Sequence, residues 1–166
     1  MKLLKRSAFV LIGLFVVIQF IRPAQNTTEG TPATDVCTQF NVPPDIKSVL
    51  HTACYDCHSD NTRYPWYAEV QPVGWWLTSH IKEAKRHLNF SEFAAYPPRR
   101  QYIKLRQIAE QVDDGDMPLA SYLIIHTDAR LSQKQKEHLI NWTNAARDSM
   151  SAVYPADSLE RGRSDR

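Results

Sequence analysis

The chain has little of what marks a nucleotide-dependent enzyme, a disulfide scaffold or a nucleic-acid binder. Its five glycines, Gly13, Gly30, Gly74, Gly115 and Gly162, are scattered, so they cannot form a loop that cradles phosphates. Three cysteines are too few for a disulfide framework. A net charge of +2 supplies no field to hold nucleic acid. No βαβ alternation is visible, and no acid, base and nucleophile are spaced for catalysis, so an enzyme is not expected. At 166 residues there is room for one modest domain with appendages.

Hydrophobic length is also short. Lys2, Lys5 and Arg6 precede an uncharged, mostly apolar run from Ser7 to Ile21, closed by Arg22-Pro23. At about 1.5 Å per residue it spans roughly 22 Å, against a hydrocarbon core of roughly 30 Å. A cleaved signal peptide is one reading, and would leave a soluble periplasmic protein. The residues after the run, Arg22-Pro23-Ala24-Gln25-Asn26, make a poor cleavage site. Snorkelling Lys and Arg can lengthen a short span. The preferred expectation is therefore an uncleaved signal-anchor over residues 1–22, with Met1 in the cytoplasm and the rest in the periplasm. Residues 23–43 are polar and aperiodic, and are expected to be a flexible linker.

Against these absences stands Cys54-Tyr55-Asp56-Cys57-His58. The spacing Cys-x-x-Cys-His is that of covalent c-type haem attachment. Two thiols add across the haem vinyl groups, and the adjacent histidine is held under the ring to ligate iron. Helical geometry places positions three apart on one face, so Cys54, Cys57 and His58 converge. A thioredoxin-like site needs a βαβ context. A zinc site would need Cys37 as a fourth ligand and lacks the paired spacing. Export makes the haem reading stronger, since covalent attachment takes place outside the bacterial cytoplasmic membrane.

Helical periodicity then fills residues 44–150. A first helix begins at Pro43-Pro44-Asp45, burying Ile46, Val49, Leu50, Ala53 and Cys57, and the haem motif closes it. His51 falls off that face. The aromatic run Tyr64-Pro65-Trp66-Tyr67 walls one edge of the macrocycle, with Arg63, Trp66 and Tyr67 in reach of the propionates. A second helix from Val73 to about Leu88 carries the stripe Leu77, Ile81, Ala84 and Leu88, flanked by a polar row of Trp76, His80, Glu83 and His87. A third, Arg99 to Val112, turns Tyr102, Leu105, Ile108, Ala109 and Val112 inward and stops at Gly115. The last opens with a Ser132–Gln135 capping box, buries Leu139, Trp142, Thr143 and Ala146, and runs to about Ser149. Residues 151–166 form a charged tail expected to be disordered. Cys37 has no assigned partner.

Between the third and last helices lies Met117-Pro118. A thioether in a proline-locked loop suits iron ligation opposite His58, the His/Met arrangement of cytochromes c. His80, His87 and His126 are the alternative sixth ligands. Met150 is set aside as part of a frayed polar end.

Cys54-Tyr55-Asp56-Cys57-His58-Ser59, Thr62-Arg63-Tyr64-Pro65-Trp66-Tyr67, Trp75-Trp76-Leu77, His80-Ile81, Leu88-Asn89-Phe90-Ser91, Met117-Pro118-Leu119, His126, Leu131-Ser132 and Trp142 together resemble the small bacterial haem-binding domain family of monohaem c-type cytochromes. The match runs over roughly residues 43–147. The resemblance implies haem binding and electron transfer, without naming a redox partner. The expectation is thus an all-α protein: an N-terminal membrane anchor, then a cytochrome c-like bundle of about four helices around one covalently attached haem c. Cys54, Cys57, His58 and Met117 hold the cofactor, with His58 and Met117 on the iron. The competing expectation is a haem sensor or peroxidase-like site with an open or bis-His sixth position.

Overall fold

The computed structural model describes residues 1–160, and these are all-helical, with no strand among them. The four expected helices are present, joined by four shorter or terminal ones. They are α1 (Lys2–Ile18), α2 (Val36–Gln39), α3 (Pro44–Ala53), α4 (Tyr55–His58), α5 (Val73–His87), α6 (Pro98–Asp113), α7 (Gln133–Val153) and α8 (Ala156–Leu159). Proline at the start of α3 and α6 fits the first turn, where its missing N–H is not needed. At the end of α6, Gly115 takes φ +79° in the left-handed region, and α7 opens on the full Ser132–Gln135 capping box.

The core is assembled from the predicted faces. Ile46, Val49 and Leu50 of α3 meet Leu105, Ile108 and Val112 of α6 and Leu139 and Trp142 of α7. Phe90 and Phe93 complete it from a 3₁₀ turn, Phe90–Ala95, that occupies the break after α5. The polar row of α5, Trp76, His80, Glu83 and His87, faces solvent.

Two expectations need correcting, the linker and the tail. The 23–43 stretch is not a free linker: it is bound along the domain surface. Thr62 N–H donates to the Asn26 carbonyl and Ala94 N–H to that of Thr34, both at 2.9 Å. The Asn26 side chain donates to Ser59 O and Thr62 Oγ1, and Val36 is fully buried. Polar side chains there satisfy backbone groups of neighbouring loops, a use that composition does not disclose. The tail is likewise folded through residue 160. α7 continues to Val153, Met150 is a core residue, and Leu159 of α8 is buried with it. Residues 161–166 of the expected disordered tail lie outside the described residues. The apolar N-terminal run forms α1 over 17 residues but leaves the α-helix before Ile21. Among the described residues no helix is long and apolar enough to cross a membrane.

The approach of α5 to the preceding 3₁₀ turn, Trp66–Glu69, is close enough to require glycine. A Cβ on Gly74 would lie 2.3 Å from the Ala68 carbonyl oxygen and 2.7 Å from Gln71 Nε2. Backbone, not a flexible side-chain tip, is in the way. Gly74→Ala is expected to destabilise the domain by about 1–3 kcal/mol, the usual range for overpacking. Urea denaturation of wild type and variant checks it, and an unchanged midpoint would contradict the packing.

Candidate functional site

The helix that begins at Pro44 breaks at Cys54, whose φ of −125° departs from helical geometry, and one further turn, α4, carries the rest of the motif. This break rotates the turn so that its residues divide between two sides. Tyr55 and Asp56 are buried, while Cys54, Cys57 and His58 are half-buried. The three expected haem-holding groups lie within one short stretch, Cys54 at the break and Cys57 and His58 in α4.

His58 is oriented from outside the motif. Its Nδ1 lies 3.0 Å from the Leu88 carbonyl oxygen at the end of α5. Because a carbonyl only accepts, Nδ1 carries the proton and Nε2 keeps its lone pair. Phe90 packs edge-on against the ring, with centroids 6.3 Å apart. Burial holds the imidazole pKa below its ordinary value, against the hydrogen bonds to the Leu88 and Ala84 carbonyls. Burial thus favours the neutral ring. A backbone carbonyl fixing the far nitrogen is the usual outer-shell support for a ligating histidine.

Burial disfavours the thiolate form of both cysteines. Burial, followed by the neighbouring Cys57, pushes Cys54 up to about 12, and burial with the Asp56 charge pushes Cys57 up to about 11. A nucleophilic or metal-binding Cys-x-x-Cys lowers its thiol pKa. Among the described residues, no three His, Cys, Asp or Glu side chains gather as a metal site. Cys37, the candidate fourth zinc ligand, is committed elsewhere: its Sγ is 3.3 Å from the Tyr55 hydroxyl. That hydroxyl donates to the buried Asp35 carboxylate at 2.9 Å. Cys54, Cys57 and His58 thus supply two buried thiols and an imidazole within five residues.

The inner side of the turn ties the motif to two loops. Asp56 accepts from Arg63 Nε at 3.0 Å and Nη2 at 3.1 Å, and from the Tyr122 hydroxyl at 2.9 Å. Arg63 is therefore engaged with Asp56, where a role at the propionates was expected, and Trp66 projects into solvent. Tyr122 stacks on His126 with centroids 4.2 Å apart, and His126 Nε2 lies 2.8 Å from the Tyr67 hydroxyl. Burial raises the Tyr67 phenol, and burial followed by the Asp56 carboxylate raises that of Tyr122.

The sixth-ligand candidates are distributed unequally. His80 bonds back to the Trp76 carbonyl and His87 pairs with Glu83, both on the solvent face of α5. His126 lies within the Tyr67–Tyr122 cluster. Met117 is half-buried at the start of the same 117–130 loop, its N–H bonded to the Gln111 carbonyl at 3.0 Å. Asp56 and Tyr122 were not singled out from sequence. The 66-residue separation of that pair leaves no periodic signal.

A family model described as a haem-binding domain matches residues 13–145. No curated protein and no solved structure matches the chain.

Two measurements test this geometry. In haem-free chain at pH 8, alkylation of Cys54 and Cys57 should be slower than that of a free thiol by roughly 100-fold or more, as thiolate is the reacting form. A rate like that of a free thiol would contradict their burial. Asp56→Ala should cost about 1–3 kcal/mol of urea stability by stranding its donors, and Tyr122→Phe about 1 kcal/mol. Equal effects from the two variants would place the Asp56 contribution wholly in the Tyr122 bond.

Proposed function

Starting from the fact that this chain belongs to the haem-binding domain family, we propose that it is a membrane-tethered periplasmic monohaem c-type cytochrome that carries single electrons. The observation that carries this reading is the His58–Leu88 hydrogen bond, which engages Nδ1 and leaves Nε2 as the ring's donor to a metal within the Cys54–His58 motif. Cys54 and Cys57 would hold the haem through thioether bonds, with His58 and Met117 as axial ligands. When bound, the haem supplies a one-electron couple, which His/Met ligation sets towards positive potential.

The chain's own residues do the positioning. Leu88 and Phe90 hold the imidazole plane. Asp56, through Tyr122, draws the 117–130 loop against the motif, and so keeps the loop that bears Met117 close to it. The bundle of α3, α5, α6 and α7 is the rigid frame for these contacts. No residue is assigned a catalytic role. Tethering is supported by α1, an apolar helix with no acidic residue and with Lys2, Lys5 and Arg6 at its start. The positive-inside rule puts the domain on the periplasmic side. At about 25 Å for 17 residues, α1 would need a locally thinned bilayer or snorkelling ends to pass through.

One observation favours a second reading. His126 is held against Tyr67 and against Tyr122, which is bonded to Asp56 of the motif, and would be the candidate for a bis-His ligand or for the distal group of a sensor or peroxidase-like site.

Expression with haem-attachment machinery should yield a chain heavier by one haem, with the colour remaining in the protein after acid–acetone extraction. Haem leaving with the solvent would overturn covalent attachment. Met117→Ala should abolish the weak charge-transfer band of thioether-ligated ferric haem and lower the reduction potential. Rapid carbon monoxide binding to reduced wild type at neutral pH would instead establish an open iron position, and an unchanged potential in Met117→Ala would turn attention to His126.

A further inference from the structure

The end of α1 is fastened to the haem domain at one place. Gln19 and Gln71 exchange two hydrogen bonds, Gln19 Nε2 to the Gln71 carbonyl at 3.1 Å and Gln71 N–H to Gln19 Oε1 at 2.9 Å. Trp75 Nε1–H donates to the Ile21 carbonyl at 2.8 Å. Arg22 ion-pairs with Glu69, and Gln25 Nε2 reaches the same carboxylate at 3.3 Å. Gln71 is almost wholly buried, so this junction belongs to the domain's folded structure.

The segment that receives α1 also exposes several apolar side chains. Trp66 is 79% exposed and Trp76 53%, and Val70, Val73 and Trp75 are each more than a third exposed. They fall within residues 66–76, which the tight Gly74–Ala68 approach folds into one compact turn and helix start. The one charged residue of that segment, Glu69, is neutralised by Arg22 from the α1 junction. Tryptophan and valine with no net charge have little reason to face water. An indole has an apolar body and a polar N–H, the chemistry that concentrates at the boundary between lipid headgroups and acyl chains.

We propose that the 66–76 face seats on the headgroup–acyl boundary of the same bilayer that takes α1, fixing the haem domain against the membrane surface. The inference rests on the tethering proposed above. It identifies lipid as the occupant because the apolar helix emerges from this face. Gln71 is bonded to Gln19 and Trp75 to the Ile21 carbonyl, which holds this face at the end of α1.

The test uses the full-length haem-loaded chain in vesicles of phosphatidylethanolamine and phosphatidylglycerol that carry a diazirine on the acyl chain. Photolysis and peptide mass spectrometry locate the cross-links. Cross-links on residues 66–76 together with α1 are the expected result. Cross-links confined to α1 would overturn the seat while leaving the tether intact, and would turn the face towards a protein partner. A chain that gives no cross-links, or is recovered without α1, would overturn the tether and the seat together, with haem attachment untouched.

Discussion

Everything in this domain follows from one helical turn that must face two ways. Between Cys54 and His58 the chain half-buries two thiols and an imidazole, and buries a phenol and a carboxylate. The inner pair is what makes the outer three rigid. Tyr55 stacks on Phe90 at 5.3 Å and reaches Asp35, while Asp56 gathers Arg63 and Tyr122. A buried carboxylate is tolerable only when its lone pairs are taken. Each acid therefore determines where a loop must lie: Asp35 holds the segment before the domain, and Asp56 the loops after the motif and before α7. The side that would hold the cofactor and the side that is solvated by protein groups are two consequences of one constraint.

That division explains what could be read in advance. The motif and the faces of α3, α5, α6 and α7 repeat at helical spacing, and burial of Leu105, Ile108, Val112 and Leu139 needs nothing beyond local periodicity. The inner partners of the motif obey no period. Leu88, Tyr122 and Asp35 meet it by virtue of tertiary geometry, over separations at which a sequence has no register to read. The central residues of the motif, Tyr55 and Asp56, look like free choices in the Cys-x-x-Cys-His pattern, yet they are the ones holding the surrounding loops.

The segment 23–43 illustrates a different failure. Its composition matches that of a linker, polar and without stripes, and the inference from composition assumes that polar side chains seek water. Here they seek backbone. Asn26 bridges Ser59 and Thr62, Thr34 Oγ1 donates to the Ser91 carbonyl, and Asp35 caps α2. Loops of irregular backbone, such as 59–65 and 88–96, leave many unpaired carbonyls and amides, and a polar strap is the economical way to satisfy them. A chain with long irregular stretches beside its motif thus creates a demand for the kind of segment that composition marks as unstructured. The same logic applies beyond α7, where α8 is short but Leu159 closes the core over Met150.

Binding this strap has a mechanical consequence for α1. Were residues 23–43 free, the haem domain would move within a sphere set by the linker length, and the 66–76 face would have no preferred neighbour. Instead the chain leaves α1, turns at Gln19–Ile21 onto Gln71 and Trp75, and is held again at Asn26 by Tyr64, Thr62 and Ser59. Orientation relative to α1 is consequently a property of the fold. For the electron carrier proposed above, transfer would depend on which edge of the cofactor is presented and at what height. A flexible tether would have to find that orientation at each encounter, and a packed strap carries it permanently. The polar residues that obscured the domain boundary in the sequence are the ones that would set the haem's bearing on the membrane.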